Sequence, residues 1–250
     1  MKILVTGGAG YIGSFIVRGL KDAGFDPYIL DNLSHGHKEA VFGFPLAKID
    51  LVTEMDKLDE LFVKEKFDGV IHMAAYIQMG ESYEKPAMYF RNNVVGALNL
   101  LEAMTKHKVS NFVFSSTAGV YGEPKKIPIE EDDPKEPANP YGETKLMTER
   151  MLSWFEKACG LKFISIRYFN AAGAALDGSI GSDQPNESHL IPNAVKAALK
   201  GEEFEIFGGD YDTPDGTCVR DYIHVLDLTQ AHILALNALA KGAVSNIYNA

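Results

Sequence analysis

Short apolar runs alternate with longer helical patterns along the chain. The apolar runs are rich in Val, Ile and Phe and predict strands at KILVTG, PYILD, LAKID, GVIHMAA, NFVFSST, FISIRYF and NIYN. Helical patterns lie between them at residues 11–23, 54–66, 87–106 and 141–158. Strands that are nearly all apolar and separated by helices indicate a parallel sheet buried on both faces. The pattern therefore predicts an α/β fold with a doubly wound parallel sheet.

The pattern changes near residue 171. The stretch AAGAALDGSIGSDQPNESH is rich in Gly, Ser and Asp and shows no period, so it predicts a long functional loop. Helical patterns return at about 190–200 and 226–240. We expect one domain over residues 1–170 and a smaller C-terminal lobe over 171–250. The strand near 246–249 is expected to return to the main sheet.

Composition narrows the class of protein. With 250 residues, 46% of them hydrophobic, the chain can bury a full core. The net charge of −10 argues against a nucleic-acid partner, which needs clustered Lys and Arg. The two cysteines, Cys159 and Cys218, have no metal-like spacing and indicate a reducing setting. The start, MKILVTGGAG, has too short an apolar run for a signal peptide, and no stretch reaches membrane-spanning length. We expect a soluble cytoplasmic protein without a metal site.

A glycine-rich turn follows the first strand directly. In TGGAGYIG the segment from Gly8 to Gly13 satisfies G-x-G-x-x-G, and Gly7, Gly10 and Gly13 give a second regular spacing. Missing Cβ atoms let a pyrophosphate approach the backbone, and the following helix N-terminus favours its negative charge. Because the motif lies between a strand and a helix, it predicts a dinucleotide site of the Rossmann type.

Two aspartates follow the second and third strands. A carboxylate at Asp31 can accept hydrogen bonds from both ribose hydroxyls and would repel a 2′-phosphate, which favours NAD over NADP. The alternative is that Asp31 only forms the turn in DNLSHG. Asp50 could reach the adenine or serve as a turn residue.

A tyrosine and a lysine stand four positions apart in PYGETK. Asn139 and Pro140 predict a helix start, so Tyr141 and Lys145 lie on one helix face. That face could simply be solvated. Alternatively, the ammonium and a nicotinamide cation would lower the phenol pKa from its usual ~10 and make Tyr141 a general base. Thr117, at the end of NFVFSST, could hold the same substrate hydroxyl. These residues suit hydride transfer between a carbinol carbon and NAD.

Several motifs resemble those of a known superfamily. TGGAGYIG, DNLS, SSTAGVYG, YGETK and RYFNAAGA are similar to the extended short-chain dehydrogenases/reductases. ESYEKP, RYFNAAGA, HLIPNA and IFGGDYDTPDGTCVRDYIHVLDL resemble the UDP-glucose 4-epimerase family of galactose metabolism, nearly end to end. The resemblance implies an isomerase in which Tyr141 removes the sugar O4 proton while the C4 hydride passes to tightly held NAD. The 4-keto sugar then turns over, and the hydride returns to its opposite face. Lys145 would hold the nicotinamide ribose and tune Tyr141.

The resemblance also implies a set of binding residues. It makes residues 1–170 the NAD-binding domain and residues 171–250 the substrate lobe. Cofactor contacts are expected at Gly7, Gly10, Tyr11, Ile12, Gly13, Asp31, Asn32, Asp50, Leu51, Ala74, Asn92, Lys145 and Phe169. UDP-sugar contacts are expected at Thr117, Tyr141, Asn170, His189, Leu190, Glu205, Phe207 and Arg220.

Some of these residues also have structural interpretations. Phe207 would lie against uracil, and Arg220 would meet the diphosphate as a bidentate fork. Taken alone, Phe207 could be a core residue and Arg220 could pair with Asp221 on the surface. His189 could equally be a structural or capping residue.

The chain departs from the family pattern at two places. Ile77 stands where some members have a lysine near the cofactor phosphates. Members also continue beyond the IYN strand with a Gly-rich turn and a further segment, so the resemblance implies a truncated C-terminus and an incomplete substrate lobe. Family members dimerise through helices that correspond to 87–106 and 141–158, which implies a homodimer.

Three other functions compete with this interpretation. A nucleotide-sugar dehydratase has Asp-Glu after the strand-end Thr, whereas Ala118-Gly119 follow Thr117 here, which argues against dehydration. An epimerase of another UDP-sugar, such as UDP-N-acetylglucosamine, stays open. So does an inactive truncated NAD-binding protein, although a pure binder has no need of Thr117, Tyr141 and Lys145.

Overall fold

A computed structural model describes residues 1–183, 189–206 and 208–250. Within this described part of the chain, nine strands form two sheets. The strands are β1 (Lys2–Thr6), β2 (Asp26–Asp31), β3 (Leu46–Lys48), β4 (Gly69–His72), β5 (Asn111–Ser115), β6 (Lys162–Arg167), β7 (Asn170–Ala172), β8 (Tyr222–His224) and β9 (Asn246–Asn249). The large sheet is entirely parallel and has the order β3-β2-β1-β4-β5-β6-β9. The predicted doubly wound fold is confirmed.

Helices connect these strands and cover both faces of the sheet. They are α1 (Tyr11–Asp22), α2 (Met55–Glu65), α3 (Met79–Glu84), α4 (Pro86–Tyr89), α5 (Gly96–Lys106), α6 (Pro140–Cys159), α7 (Leu190–Lys200) and α8 (Val225–Ala240). The predicted helix 87–106 is less regular than expected, because a π-helical turn at Phe90–Val95 joins α4 to α5. A π-helical turn changes the spacing of the backbone hydrogen bonds without changing the apolar pattern, so the sequence does not reveal it.

The core consists of two layers, one on each face of the large sheet. In β1, Leu4 packs into the layer with α2, α5 and α6, whereas Ile3 and Val5 pack into the layer with α1 and α8. In β5, Phe112 likewise faces the first layer and Val113 the second. Alternate side chains of a strand point to opposite faces. Both faces are buried here, which explains why the strands are continuously apolar.

A small second sheet lies just beyond β6. β7 pairs in parallel with β8, and Ala171 of β7 is opposite Ile223 of β8. The prediction of an unbroken loop from residue 171 is therefore wrong at its start, because Ala171 and Ala172 belong to β7. A three-residue strand is too short to produce a recognisable alternation.

The strand order places one crevice at the centre of the sheet. β1 leads through α1 to β2 on one side, whereas β4, its other neighbour, leads to β5 on the opposite side. The connections after β1 and β4 therefore diverge at the carboxyl edge. Such a switch point is where parallel α/β sheets bind ligands.

Candidate active site

The glycine-rich turn after β1 forms one wall of this crevice. Gly7 has φ +70, and a Cβ there would lie 2.7 Å from the Ala74 backbone nitrogen, in the connection after β4. A Cβ on Gly13 would lie 2.1 Å from the Gly7 carbonyl oxygen. Gly10 is the N-cap residue of α1. The turn therefore requires Gly7 and Gly13, and it leads directly into the α1 N-terminus, whose positive dipole end favours an anion.

Asp31 lies at the end of β2, beside this turn. Its Oδ2 accepts from the Ala9 amide at 3.0 Å and its Oδ1 from the Leu33 amide at 2.8 Å. Burial raises the pKa of the Asp31 carboxyl, and these two amide hydrogen bonds oppose the shift. Each carboxylate oxygen keeps a further lone pair that can accept a ligand hydroxyl.

The crevice opens into a cavity of about 840 Å³. Most of the predicted cofactor residues line it, namely Gly7, Gly10, Tyr11, Ile12, Gly13, Asp31, Asn32, Leu51, Ala74 and Asn92. Asp50 is held beside it, since its Oδ2 accepts from Asn32 Nδ2 at 2.9 Å. Among the described residues, Lys145 and Phe169 do not contribute to this lining, whereas their neighbour Tyr168 does.

The start of α6 brings the candidate catalytic side chains to the same edge of the sheet. Asn139 caps the helix by accepting from the Gly142 amide at 2.8 Å, and Pro140 occupies the first turn. Tyr141 and Thr117 are both buried, and the Thr117 side chain lies beside the phenol. Lys145 is 3% exposed, and its Nζ lies 5.9 Å from the Tyr141 ring centroid. Tyr141 and Lys145 do not lie on a solvated helix face.

Burial dominates the ionisation of both groups. It raises the pKa of the Tyr141 phenol, with Tyr168 adding to the shift and the Thr117 hydrogen bond opposing it. Burial also lowers the pKa of Lys145 to about 7, and the Glu149 carboxylate opposes this. Burial therefore outweighs the expected lowering of the phenol pKa by Lys145. The Lys145 Nζ donates to the Ser115 carbonyl at 2.7 Å.

The π-helical turn supplies two asparagines to this region. Asn92 lines the cavity, and its Nδ2 donates to Asn93 Oδ1 at 2.9 Å. Asn93 also accepts from the Tyr76 amide at 2.9 Å and donates to the Thr144 hydroxyl at 3.1 Å. It thus ties the connection after β4 to the catalytic helix. The sequence analysis missed Asn93, although adjacent asparagines within a helical pattern are a visible irregularity.

A second set of missed residues lies in the 173–183 loop, which covers the outer side of the cavity. The Tyr11 hydroxyl donates to the Gly173 carbonyl at 2.5 Å. Arg18 Nη1 donates to Ser179 Oγ at 2.6 Å. These contacts join α1 to a loop that is distant in sequence, so local patterns do not reveal them.

The same loop contacts the rest of the protein through the apolar side chain of Ile180 and through a hydrogen bond with His37. Ile180 is buried against Phe15 and Val225. His37 Nε2 donates to the Asp183 carbonyl at 2.8 Å. Ile180 and Asp183 line the cavity. The loop therefore packs against α1 and forms part of the cavity wall.

The other predicted substrate residues are Asn170 and five residues that follow it in the chain. Asn170 begins β7 and donates to the Asp221 carbonyl at 2.8 Å. His189 is the N-cap residue of α7, and Leu190 is half-exposed on its first turn. Arg220 is exposed and donates to the Val219 carbonyl.

Two further predicted residues complete this set. Glu205 is exposed, and Phe207 lies outside the described residues. Among the described positions, none of these predicted substrate residues of the smaller lobe lines the 840 Å³ cavity.

A family model decides the class of this chain. Residues 3–250 match the NAD dependent epimerase/dehydratase family. The chain belongs to this family. Within the described residues of this family member, no helix is both long and apolar enough to cross a membrane. The same residues contain no group of three or more His, Cys, Asp or Glu that could hold a metal ion.

Known proteins resemble this family member along its whole length. It is 51% identical over 252 residues to a UDP-glucose 4-epimerase of Lactobacillus helveticus, covering 100% of this chain and 76% of that protein. The crystal structure of UDP-glucose 4-epimerase from Brucella ovis in complex with NAD superposes with a TM-score of 0.96 at 44% identity, covering 100% and 77% of the two chains. A UDP-Glc/GlcNAc 4-epimerase of Campylobacter jejuni has a TM-score of 0.85 at 41% identity, covering 100% and 78%.

Proposed function

We propose that this chain is an NAD-dependent UDP-glucose 4-epimerase, an isomerase that interconverts UDP-galactose and UDP-glucose. The observation that carries the proposal is the buried placement of Thr117 beside Tyr141, with Lys145 one turn further along the same helix, at the carboxyl edge of the sheet. The names of the similar proteins support the same substrate class. No carboxylate follows Thr117, since Ala118 and Gly119 form the next turn, which argues against dehydration.

The residues of the cavity fit a dinucleotide. A pyrophosphate needs close approach to the backbone, and Gly7 and Gly13 leave open the space that a Cβ would fill. The buried Asp31 carboxylate offers free lone pairs to ribose hydroxyls and disfavours a 2′-phosphate. NAD, when bound there, supplies the hydride acceptor and a positive charge near the phenol.

The chain's own groups then handle the proton. Tyr141 accepts the proton of the sugar O4 as the hydride leaves C4, and Thr117 holds that hydroxyl by a hydrogen bond. Because burial raises the pKa of the Tyr141 phenol, the group alone is scarcely ionised at neutral pH. The positive charges of Lys145 and the nicotinamide are therefore needed to favour the phenolate. Once the 4-keto sugar has turned over, Tyr141 returns the proton while the hydride re-enters from the opposite face of C4.

The UDP-sugar is assigned to the smaller lobe. We propose that residues 1–170 form the NAD-binding domain and 171–250 the substrate lobe. Contacts to the UDP-sugar come from Asn170, His189, Leu190, Glu205, Phe207 and Arg220. The exposed guanidinium of Arg220 is suited to the diphosphate. Phe169 and Lys145 complete the cofactor contacts on the nicotinamide side.

Assembly and location follow from the same assignment. We propose a cytoplasmic homodimer, whose subunits pack through the helical region 87–106 and α6. Trp154 on α6 is 68% exposed, and a large apolar side chain on a helix face suits such an interface.

A broader sugar specificity is the second candidate. It is favoured by the similarity to the Campylobacter jejuni protein, which is named for both UDP-Glc and UDP-GlcNAc. Adding UDP-N-acetylglucosamine as a second substrate in the experiment below separates the two candidates.

Proton NMR of UDP-galactose incubated with the purified chain tests the proposal, without and then with added NAD. Growth of the UDP-glucose anomeric signal, absent with Tyr141→Phe, is the expected result. An unchanged spectrum in both samples contradicts it for this chain.

A further inference from the structure

A buried ion pair lies directly behind the catalytic residues. Glu149 is on α6, four residues after Lys145 and eight after Tyr141, which places all three on one helix face. Arg167 at the end of β6 grips its carboxylate with two bonds, Nη2 to Oε2 at 2.6 Å and Nε to Oε1 at 2.9 Å. Glu149 is 3% exposed and Arg167 2%. This bidentate geometry fixes both side chains in one orientation.

The Glu149 carboxylate also holds the strand end that carries the catalytic threonine. Ser116 Oγ donates to Glu149 Oε1 at 2.6 Å. Ser116 lies between Ser115, whose carbonyl accepts from Lys145, and Thr117, which lies beside the catalytic phenol. Glu149 therefore connects α6 to the same three residues on which the candidate catalytic groups depend.

Arg167 extends this connection to the other side. Its Nη1 donates to the Tyr121 hydroxyl at 2.6 Å, and Tyr121 in turn donates to Asn249 Oδ1 of β9 at 2.7 Å. Tyr121 follows the turn that begins at Thr117. The next residue after Arg167 is Tyr168, which lines the cavity. The pair thus joins α6, β6, β9 and the turn after β5 at one point.

Stability alone is a weak reason to keep such a pair. Desolvation of two charges offsets most of their attraction, and apolar side chains of similar volume often serve a core equally well. Within the described residues, neither Glu149 nor Arg167 lines the cavity, so neither is a catalytic residue. Their position instead fixes the geometry of the candidate catalytic groups. Small displacements of reacting groups lower the reaction rate strongly.

We propose that Glu149, clamped by Arg167, is a positioning residue of the active site. It acts through Ser116 and Lys145, and it fixes the catalytic helix against the end of β5 so that Tyr141 and Thr117 meet one substrate hydroxyl. This inference rests on the proposed epimerase function.

Glu149 is also the charged group that faces Lys145. The other titratable groups around Lys145 are Tyr141 on α6, His72 on β4, Tyr168 directly after β6, and His232 on α8. Burial lowers the pKa of His72 to about 3 and that of His232 to about 4, so both are neutral at pH 7. Arg167 offsets part of the Glu149 charge. Removing this carboxylate therefore lowers the pKa of Lys145 further.

Two variants separate positioning from folding. Glu149→Gln keeps the shape and one acceptor but removes the charge, and kcat falls about 10- to 100-fold with KM nearly unchanged. The double variant Glu149→Met with Arg167→Met replaces the pair by apolar side chains, which restores resistance to urea but not kcat. Lys64→Gln, an exposed side chain on α2 that pairs with Glu65, is the control and retains wild-type kcat. Recovery of kcat together with stability in the double variant overturns the proposal.

A second readout needs no turnover. NMR of ¹⁵Nζ-labelled lysine follows the titration of Lys145 in the wild type and in Glu149→Gln, with Lys145→Met to assign the signal. A lower midpoint in Glu149→Gln supports the proposal, and an identical midpoint overturns it. Because this titration does not depend on epimerisation, a failure of the proposed function is seen separately, as a wild-type chain that leaves UDP-galactose unchanged.

Discussion

The Lys145 ammonium donates to the Ser115 carbonyl at 2.7 Å, which ties the catalytic helix to the end of β5. Ser115 Oγ is also hydrogen-bonded to the Tyr168 hydroxyl, at 2.7 Å. The Lys145 side chain is therefore fixed at the end of β5, and its Nζ lies 5.9 Å from the Tyr141 ring centroid. In this position the charge of Lys145 can contribute to the site while its side chain stays fixed.

The phenol is the group whose removal is most informative. Tyr141→Phe deletes the proton acceptor, but it leaves the glycine-rich turn intact. We expect turnover of UDP-galactose to fall by at least about 10²-fold, the usual contribution of a general base. NAD retained through gel filtration, measured by absorbance, should be unchanged. Substantial residual turnover in a correctly folded variant would contradict the role of Tyr141.

Burial of Lys145 predicts a pH-dependent stability. Its folded pKa of about 7 lies below the usual value of 10.5, so between these values the unfolded state binds the extra proton. The stability contribution of this group therefore rises with pH across that window, by at most about 1.4 kcal/mol per pH unit. Below pH 7 both states are protonated, and the slope from this group vanishes.

Urea unfolding of the cofactor-free protein at pH 7.5 and 9 measures this slope. The difference in unfolding free energy between wild type and Lys145→Met should shift in favour of the wild type as pH rises. A difference that is the same at both pH values would refute the assignment.

The glycine-rich turn predicts a sharp steric effect. Gly13→Ala places a Cβ 2.1 Å from the Gly7 carbonyl oxygen, so the turn must move and the pyrophosphate wall is lost. We expect NAD affinity to fall at least about tenfold, measured by fluorescence titration. Gly80→Ala is the matched control, because nothing lies within 4 Å of a Cβ at that exposed helical position. Equal affinities of the two variants would be evidence against this wall as the cofactor site.

The 173–183 loop predicts an effect on cofactor release. Arg18→Gln removes a hydrogen bond to Ser179 and an ion pair with Asp177 at 3.6 Å, which loosens the cover of the cavity. Loss of one such contact should speed NAD dissociation about two- to tenfold, measured by exchange with labelled NAD. Lys64→Gln again serves as the control. Unchanged dissociation in Arg18→Gln would mean that the loop does not retain the cofactor.

The sequence predicts the sheet well because the physical signal is strong. Strands such as β1 and β5 are apolar on both faces. When helices separate such strands, a parallel sheet covered on both faces is the arrangement that buries them. The start of α6 is equally clear, since Asn139 and Pro140 mark it locally. β7 and β8 are too short for periodicity, and the π-helical turn at Phe90–Val95 changes hydrogen bonding without changing the apolar pattern.

The site is less predictable from sequence than the fold. Residue types and the carboxyl-edge rule suggest that Thr117 and Tyr141 lie close together. The sequence does not predict the direction in which the Tyr141 pKa shifts, because the shift depends on burial and on where Lys145 points. The contact between Arg18 and Ser179 joins distant segments, so it emerges only from the folded chain.

Epimerisation of UDP-galactose labelled with deuterium at C4 tests the central claim most directly. If the hydride leaves C4 and returns to it within one closed site, UDP-glucose formed in ordinary water keeps its deuterium, and Tyr141→Phe forms almost none. Mass spectrometry of the product together with proton NMR at C4 reads both outcomes. Product that has exchanged its deuterium for solvent hydrogen, or conversion by Tyr141→Phe at the wild-type rate, would contradict the account.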